Sequence, residues 1–320
     1  MPRPDVLALT RLGYGAANLG NLFRELSDDQ AWAILEAAWE SGIRYFDTAP
    51  HYGLGLSERR LGAFLRTKPR SEFVISTKVG RLLRPNRDDD GGLDLAADFH
   101  VRTTLKRVWD FSAVGILASL EESLERLGLD RVDIVYLHDP ERHELDLALR
   151  DALPALEQLR ADGAVDAVGI GSMASDALAA AVGNADLDII MIAGRYTLLE
   201  QPAVDDVLPA CHARGTGVVA ASVFNSGLLA KEQPSRDDRY EYGRMPDQLW
   251  DRLQAILAVC GAHGVPLPAA AVQFALRDDA VRSVVVGGSR PEHVRRSAQL
   301  MDAVVPTALW SELAGEGLIR

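Results

Sequence analysis

The chain has 320 residues, 48% of them hydrophobic, and a formal net charge of −12. Such a length buries a large core as one α/β domain or two smaller ones. So acidic a balance excludes a general affinity for nucleic acid or anionic lipid, which needs a basic surface to displace counterions. Two cysteines, Cys211 and Cys260, support neither a disulfide framework nor a cysteine-based metal cluster. There is no apolar run of about 18 residues, and the opening MPRPDVLALTRLG lacks the apolar run and cleavage site of a secretory leader. A cytoplasmic location is expected, with a small molecule as partner and neither nucleic acid, membrane nor metal.

In chain order, short β-branched runs alternate with amphipathic segments, the pattern of strand–helix units and a parallel sheet. LTRLGYG (9–15) is followed by a helix whose start carries the capping-box spacing of Ser27 and Gln30; it turns Ile34, Leu35 and Ala38 inward and stops at Gly42. RYFDT (44–48) and FVISTK (73–78) come next. A helix that places Ile116, Leu117, Leu120, Leu124 and Leu127 on one stripe, with Glu121, Glu122, Glu125 and Arg126 outside, ends at Gly128 and leads into VDIVYLH (132–138). VDAVGIG (165–171), LDIIMIA (187–193), GVVAAS (217–222) and VRSVVVG (281–287) complete a set of eight. Eight strands, each followed by helical sequence, predict a single α/β domain over residues 1–320, a (β/α)₈ TIM barrel. The dinucleotide fingerprint of an open sheet is missing: GYGAAN at Gly13 has two of the three glycines and no ribose-binding acid at the usual distance.

Two connections are long. Residues 80–112, rich in Asp, Gly and Arg, read as a loop over the barrel mouth, and residues 231–246 follow the seventh strand. Both leave the carboxyl ends of strands, where such barrels place binding loops.

Asp47 closes the second predicted strand, Lys78 the third and His138 the fourth, so all three face one rim, with Tyr52 in the loop just beyond Asp47. Singly, each has an ordinary packing or capping explanation. Together they point further, because Asp and Lys are seldom buried without partners and pairing Asp47 with Lys78 satisfies both. A cation beside Tyr52 is expected to bring the phenol below its usual pKa of about 10, which suits a general acid/base. A neutral His138 would position a substrate oxygen. On the same residues, Lys78 is alternatively the Schiff-base nucleophile of an aldolase-like barrel.

RYFDTAPHYG, VISTKVG, VDIVYLHD and VVVGGSRPEHV, in that order and over nearly the whole chain, resemble the successive motifs of the aldo-keto reductases. The resemblance implies a catalytic tetrad of Asp47, Tyr52, Lys78 and His138 that moves a proton while NAD(P) carries the hydride. It also implies a cofactor path from Gly15 and Ala16 past Ser172, Arg195 and the loop Ser222, Asn225, Ser226 and Gly227 to Gly288, Ser289, Arg290, His293 and Ser297. HDPE, AGRYTLLEQ and VFNSGLLA are more particularly similar to the branch that oxidises the anomeric hydroxyl of sugars, or the hemiacetal of pyridoxal, to a lactone. A general aldehyde or ketone reductase, or a non-catalytic nucleotide-binding barrel that regulates a partner, are the alternatives within the same resemblance. His51, Trp109 and Phe111 are the candidates for lining a sugar pocket.

The chain also departs from that pattern. Where many members carry Ser-Asn for the nicotinamide amide, GIGSM offers Gly171 and Ser172; the Gln of the sixth strand is replaced by Ala193, and the aromatic that stacks on the nicotinamide aligns near Ala221. At the positions that grip a 2′-phosphate stand Gly287, Gly288 and His293. Without that cationic clamp a 2′-phosphate loses its charge-assisted hydrogen bonds, so NAD is the expected cofactor, with NADP as the alternative through Arg290.

Overall fold

Runs of Val, Ile and Ala that are buried along most of their length form the barrel strands, because a sheet filled with side chains on one face and covered by helices on the other leaves little of a strand in water. The computed structural model describes residues 7–238, 240–241 and 245–320. Among them are the strands β1 (Leu12–Gly15), β2 (Tyr45–Asp47), β3 (Val74–Val79), β4 (Arg81–Pro85), β5 (Leu105–Trp109), β6 (Ile134–His138), β7 (Ala167–Ser172), β8 (Ile189–Ala193), β9 (Gly217–Ala221) and β10 (Val281–Val286). All but β4 and β5 pair in parallel in the order β1-β2-β3-β6-β7-β8-β9-β10 and close on β1. This is the (β/α)₈ barrel that the repeated pattern predicts, and each barrel strand lies on one of the eight runs, to within a residue of its end.

Tyr45, Ile134, Tyr136, Met191, Val219 and Val285 belong to the cluster that fills the barrel, whereas Phe46, Val135 and Ile190 join the larger cluster shared with the helices. The two-residue period of a strand therefore carries the inner face from Tyr45 to Asp47, from Ser76 to Lys78 and from Tyr136 to His138. Register puts the three ends side by side: Asp47 pairs with Ser76, Lys78 with Tyr136 and His138 with Gly171.

The helix Asp28–Glu40 opens with the anticipated capping box, Gln30 N–H donating to Ser27 Oγ and Ser27 N–H to Gln30 Oε1. The helix Ala113–Leu127 ends at left-handed Gly128. Two of its side chains differ from expectation. Leu117 is 46% exposed, because Ile116 and Leu120 occupy the buried stripe and position 117 lies about 100° round the axis from 116. Arg126 turns inward to Glu58 at 2.5 Å, since that fully buried carboxylate needs a cation.

Residues 80–112 are not a plain loop. β4 and β5 pair antiparallel, from Arg81 opposite Trp109 to Pro85 opposite Leu105. Beyond the hairpin the insertion is pinned to the loop after β1: Phe23 N–H donates to the Asp98 carbonyl (2.8 Å), His100 N–H to the Asn21 carbonyl (3.0 Å), and Asn21 Nδ2 to the His100 carbonyl (3.1 Å). The segment 231–246 includes Arg239 and residues 242–244, which lie outside the described residues. Cys211 and Cys260 are unpaired and buried. Among the described residues no single helix is long and apolar enough to cross a membrane.

Candidate active site

The ends of β2, β3 and β6 bring Asp47, Lys78 and His138 to one rim, and the turn after β2 folds Tyr52 back over them. Lys78 Nζ donates to Asp47 Oδ2 at 2.6 Å, to the Thr48 carbonyl at 3.1 Å and to the Tyr52 hydroxyl oxygen at 3.1 Å. The Tyr52 and His138 rings meet edge to face with centroids 5.8 Å apart. The four side chains are thus gathered in one cleft. Behind them Ser76 Oγ donates to Asp47 Oδ1 at 2.8 Å and is itself bonded to the Tyr45 hydroxyl at 3.1 Å. Both oxygens of the buried Asp47 are satisfied, as a buried charge requires.

Burial works to discharge Lys78, but Asp47 and the Tyr52 phenol outweigh it and hold its pKa above the ordinary value. A firmly held ammonium with three hydrogen-bond partners is a poor Schiff-base nucleophile, since only the free amine attacks a carbonyl. Tyr52 departs from expectation. Burial is the largest influence on it and, with Asp47, outweighs Lys78, so its pKa lies above the usual value rather than below; Asp47 offsets part of the cation's effect and burial the rest. Burial, then Arg81, Lys78, His51 and Arg142, hold His138 well below its usual pKa. Its ring is therefore neutral at neutral pH, as a positioning role demands.

His51 lies in the same turn as Tyr52, edge-on to His138 at 5.5 Å and to Phe99 at 5.4 Å. Its carbonyl accepts from Arg107 of β5 at 2.8 Å. Trp109 stacks on His143 with centroids 5.5 Å apart and carries the Arg81 guanidinium 4.3 Å from its ring. Phe111 is buried against Gly80 in the core.

Three residues that the sequence does not single out join the site. Arg81, almost wholly buried, donates to Asp139 Oδ2 at 2.6 Å. The same carboxylate oxygen is 3.6 Å from Arg142 Nε and 3.7 Å from His138 Nε2. Glu141 is raised in pKa by burial, opposed by a hydrogen bond from Ser172, and its Oε2 is buried without a hydrogen-bond partner. The only signal for the two acids is their place in HDPE, flanking a proline just after a strand; Arg81 has no signal beyond a charge following a buried run.

The candidate cofactor residues are spread round the same rim. Gly15 closes β1 in register with Asp47, and Ala16 follows. Ser172 closes β7, and its Oγ accepts from Ala174 N–H at 2.9 Å. Arg195 is already paired, with Glu241 at 2.7 Å and Glu200 at 3.9 Å, and donates to the Met173 carbonyl at 3.0 Å. After β9, Ser222, Asn225, Ser226 and Gly227 all take positive φ; Asn225 Nδ2 donates to Glu200 at 3.1 Å while its Oδ1 is buried and unpartnered. Beyond β10, Ser289 and Arg290 line a groove of about 330 Å³ together with Arg24 from the loop after β1. The Tyr14 hydroxyl donates to the Gly288 carbonyl at 3.0 Å, and Arg24 donates to the Ser289 carbonyl. His293 and Ser297 lie on the helix Pro291–Met301, where the Ser297 hydroxyl donates to the His293 carbonyl at 3.0 Å. Nothing in GNLFREL marks Arg24 in advance.

The model of the Aldo/keto reductase family matches residues 11–315. The chain is 67% identical over 314 residues to a D-threo-aldose 1-dehydrogenase of Pseudomonas sp., covering 98% of this chain and 95% of that protein. It is 38% identical over 330 residues to a pyridoxal 4-dehydrogenase of Microbacterium luteolum (98% and 95% covered) and 31% identical over 296 residues to an L-galactose dehydrogenase of Arabidopsis thaliana (91% and 84%). Among solved structures, the holo form of an aldo-keto reductase from Bacillus halodurans shares the fold with a TM-score of 0.78 at 24% identity, covering 98% of this chain and 93% of that one.

Proposed function

Because the chain belongs to the aldo/keto reductase family, we propose that it is an NAD(P)-dependent oxidoreductase that converts the anomeric hydroxyl of an aldose to a lactone. The observation that carries this is the hydrogen-bonded series Asp47–Lys78–Tyr52 ending beside His138. The substrate class follows the name of the relative at 67% identity. Pyridoxal is the second candidate, on the relative at 38%.

The residues present fit NAD(P): Glu141 and Asn225 each keep a buried acceptor open, and Arg24 and Arg290 bring two guanidinium groups to the groove beyond β10, beside Ser289 and Glu292. When bound, the oxidised dinucleotide supplies the hydride acceptor. Tyr52 takes the hydroxyl proton, Lys78 holds the phenolic oxygen at 3.1 Å and offsets its charge, Asp47 fixes the ammonium, and neutral His138 holds the substrate oxygen against the phenol. NAD is the preferred cofactor, because Gly287, Gly288 and His293 bring no fixed cation to the place of a 2′-phosphate clamp; Arg24 and Arg290 are the ligands NADP would use.

The test is reduced-cofactor formation with L-fucose, L-galactose, D-arabinose and pyridoxal, each with NAD and NADP. An aldose should turn over, faster as pH rises, since a phenol raised by burial has little phenolate at neutrality. Tyr52→Phe should lose roughly 10²–10⁴-fold in kcat while still binding cofactor; undiminished turnover would overturn the assigned base. An advantage of about tenfold in kcat/KM for NADP would reverse the cofactor preference. Tight cofactor binding with no turnover on any substrate would point to a non-catalytic regulatory barrel.

A further inference from the structure

Glu141 stands three residues beyond His138, in the turn after β6, with Ser172 at the end of β7 as a neighbour. Ser172 Oγ itself accepts from Ala174 N–H at 2.9 Å. The Glu141 carboxylate oxygen Oε2 is buried and has no hydrogen-bond partner among the described residues. The cations nearby, Arg81 and Arg142, face Asp139 instead, at 2.6 and 3.6 Å. A carboxylate can only accept, and a buried acceptor left open is costly until a donor reaches it. A buried acceptor left open beside the tetrad is a binding feature.

The place adjoins the chemistry. His138 pairs across β6 and β7 with Gly171, the residue before Ser172, and a Cβ at Gly171 would stand 3.8 Å from Lys78 Cε. On the β2 side the tetrad is bordered by the rings of His51 and Phe99; Phe99 offers only carbon, and His51 Nδ1 is buried without a partner but belongs to a ring that both donates and accepts, whereas a carboxylate only accepts. The step from here takes the proposed function as its premise. The carboxamide of nicotinamide is on the ring carbon adjacent to the one that exchanges hydride, so whatever holds it stands beside the tetrad. A carboxamide N–H₂ is a neutral double donor, matched to an acceptor-only carboxylate. Neither Met173 nor Ala193, at the ends of β7 and β8, has a side chain that accepts well from it.

We propose that Glu141 Oε2 accepts the carboxamide N–H₂ of the bound nicotinamide. Glu141 is then the residue that stops the ring from turning over about its glycosidic bond, and so selects the face presented to the substrate.

The discriminating probe is 3-acetylpyridine adenine dinucleotide, in which a methyl ketone replaces the amide and no N–H remains. Dissociation constants without substrate, read from quenching of tryptophan fluorescence, separate binding from turnover. Glu141→Ala removes the acceptor and should weaken NAD by about 10- to 100-fold while changing the acetylpyridine analogue by less than about twofold. Glu141→Gln, which keeps one neutral acceptor, should show the same selectivity with a smaller loss and serves if the alanine variant folds poorly. Equal losses for both dinucleotides would reduce Glu141 to shaping its turn, and unchanged NAD binding with a raised KM for sugar would make it a sugar ligand; either result overturns the proposal. A wild-type protein that binds neither dinucleotide nor NADP sinks the proposed function first, and the two failures are thereby told apart.

Discussion

Asp139 lies between two arginines and an imidazole, with Arg81 at 2.6 Å, Arg142 at 3.6 Å and His138 at 3.7 Å from one carboxylate oxygen. A carboxylate so close ordinarily raises an imidazole's pKa. His138 goes the other way: burial leads, and Arg81, Lys78, His51 and Arg142 add to it. The arginines neutralise Asp139 and contribute positive charge of their own. Arg81→Gln removes one of those charges and releases the carboxylate, so the His138 pKa should rise, and Asp139→Asn in the same background should bring it down again. An NMR titration of the His138 ring decides it; no movement in Arg81→Gln would leave burial and the remaining cations as the whole cause.

Among the elements, the helix Leu56–Leu65 crosses the helix Ala113–Leu127 at Gly62, where a Cβ would stand 2.0 Å from the Leu127 carbonyl oxygen. The crossing is this close because a buried carboxylate spans it: Glu58 accepts from Arg126 at 2.5 Å and from Thr77, the neighbour of Lys78 on β3, at 2.9 Å. Moving the helices apart would strain the strand that carries the lysine. Gly62→Ala is expected to destabilise by about 1–3 kcal/mol. Gly261, near the end of the helix Asp247–Ala262, meets nothing within 4 Å of a built Cβ, so Gly261→Ala should stabilise by about 0.5–1 kcal/mol. Thermal melts of the two variants should move in opposite directions; equal shifts would remove the crossing as the cause.

For the molecule as a whole, buried neutral imidazoles make stability depend on pH. His138 and His51 both have pKa values well below the usual one, His51 through burial and then Arg107, Arg81, Arg142 and Lys78. Above pH 6.5 or so both states of each ring are neutral and the folded protein loses nothing. Below it the unfolded chain takes protons that the folded one refuses, so stability falls with pH until the folded pKa values are reached. His138 should contribute roughly 1.4 kcal/mol per pH unit to that decline. Denaturant titrations at pH 7.5 and 5.5 should show His138→Gln with the shallower loss; parallel slopes would mean that the ring is already charged in the folded state.

Local rules made much of this legible in advance. The ends of predicted strands placed Asp47, Lys78 and His138 on one rim, Ser27 and Gln30 announced a helix start, and Gly128 a helix end. These depend on a few neighbouring residues, and a sequence displays its neighbours. The hairpin β4–β5 was hidden because its second strand alternates half-buried with exposed residues, many of them charged, and its strands pair with one another rather than with the barrel. Leu117 was misplaced because an apolar stripe can be drawn through either of two adjacent positions until a packing partner selects one. The direction of the Tyr52 pKa was missed because a cation one bond away is visible from motif order, whereas desolvation sums over every atom that closes the cleft. Contacts such as that of Arg24 with Ser289, which lie 265 positions apart, exist only once the barrel has closed and its loops share one rim. Short-range stereochemistry is written residue by residue, but burial and long-range charge belong to the assembled surface.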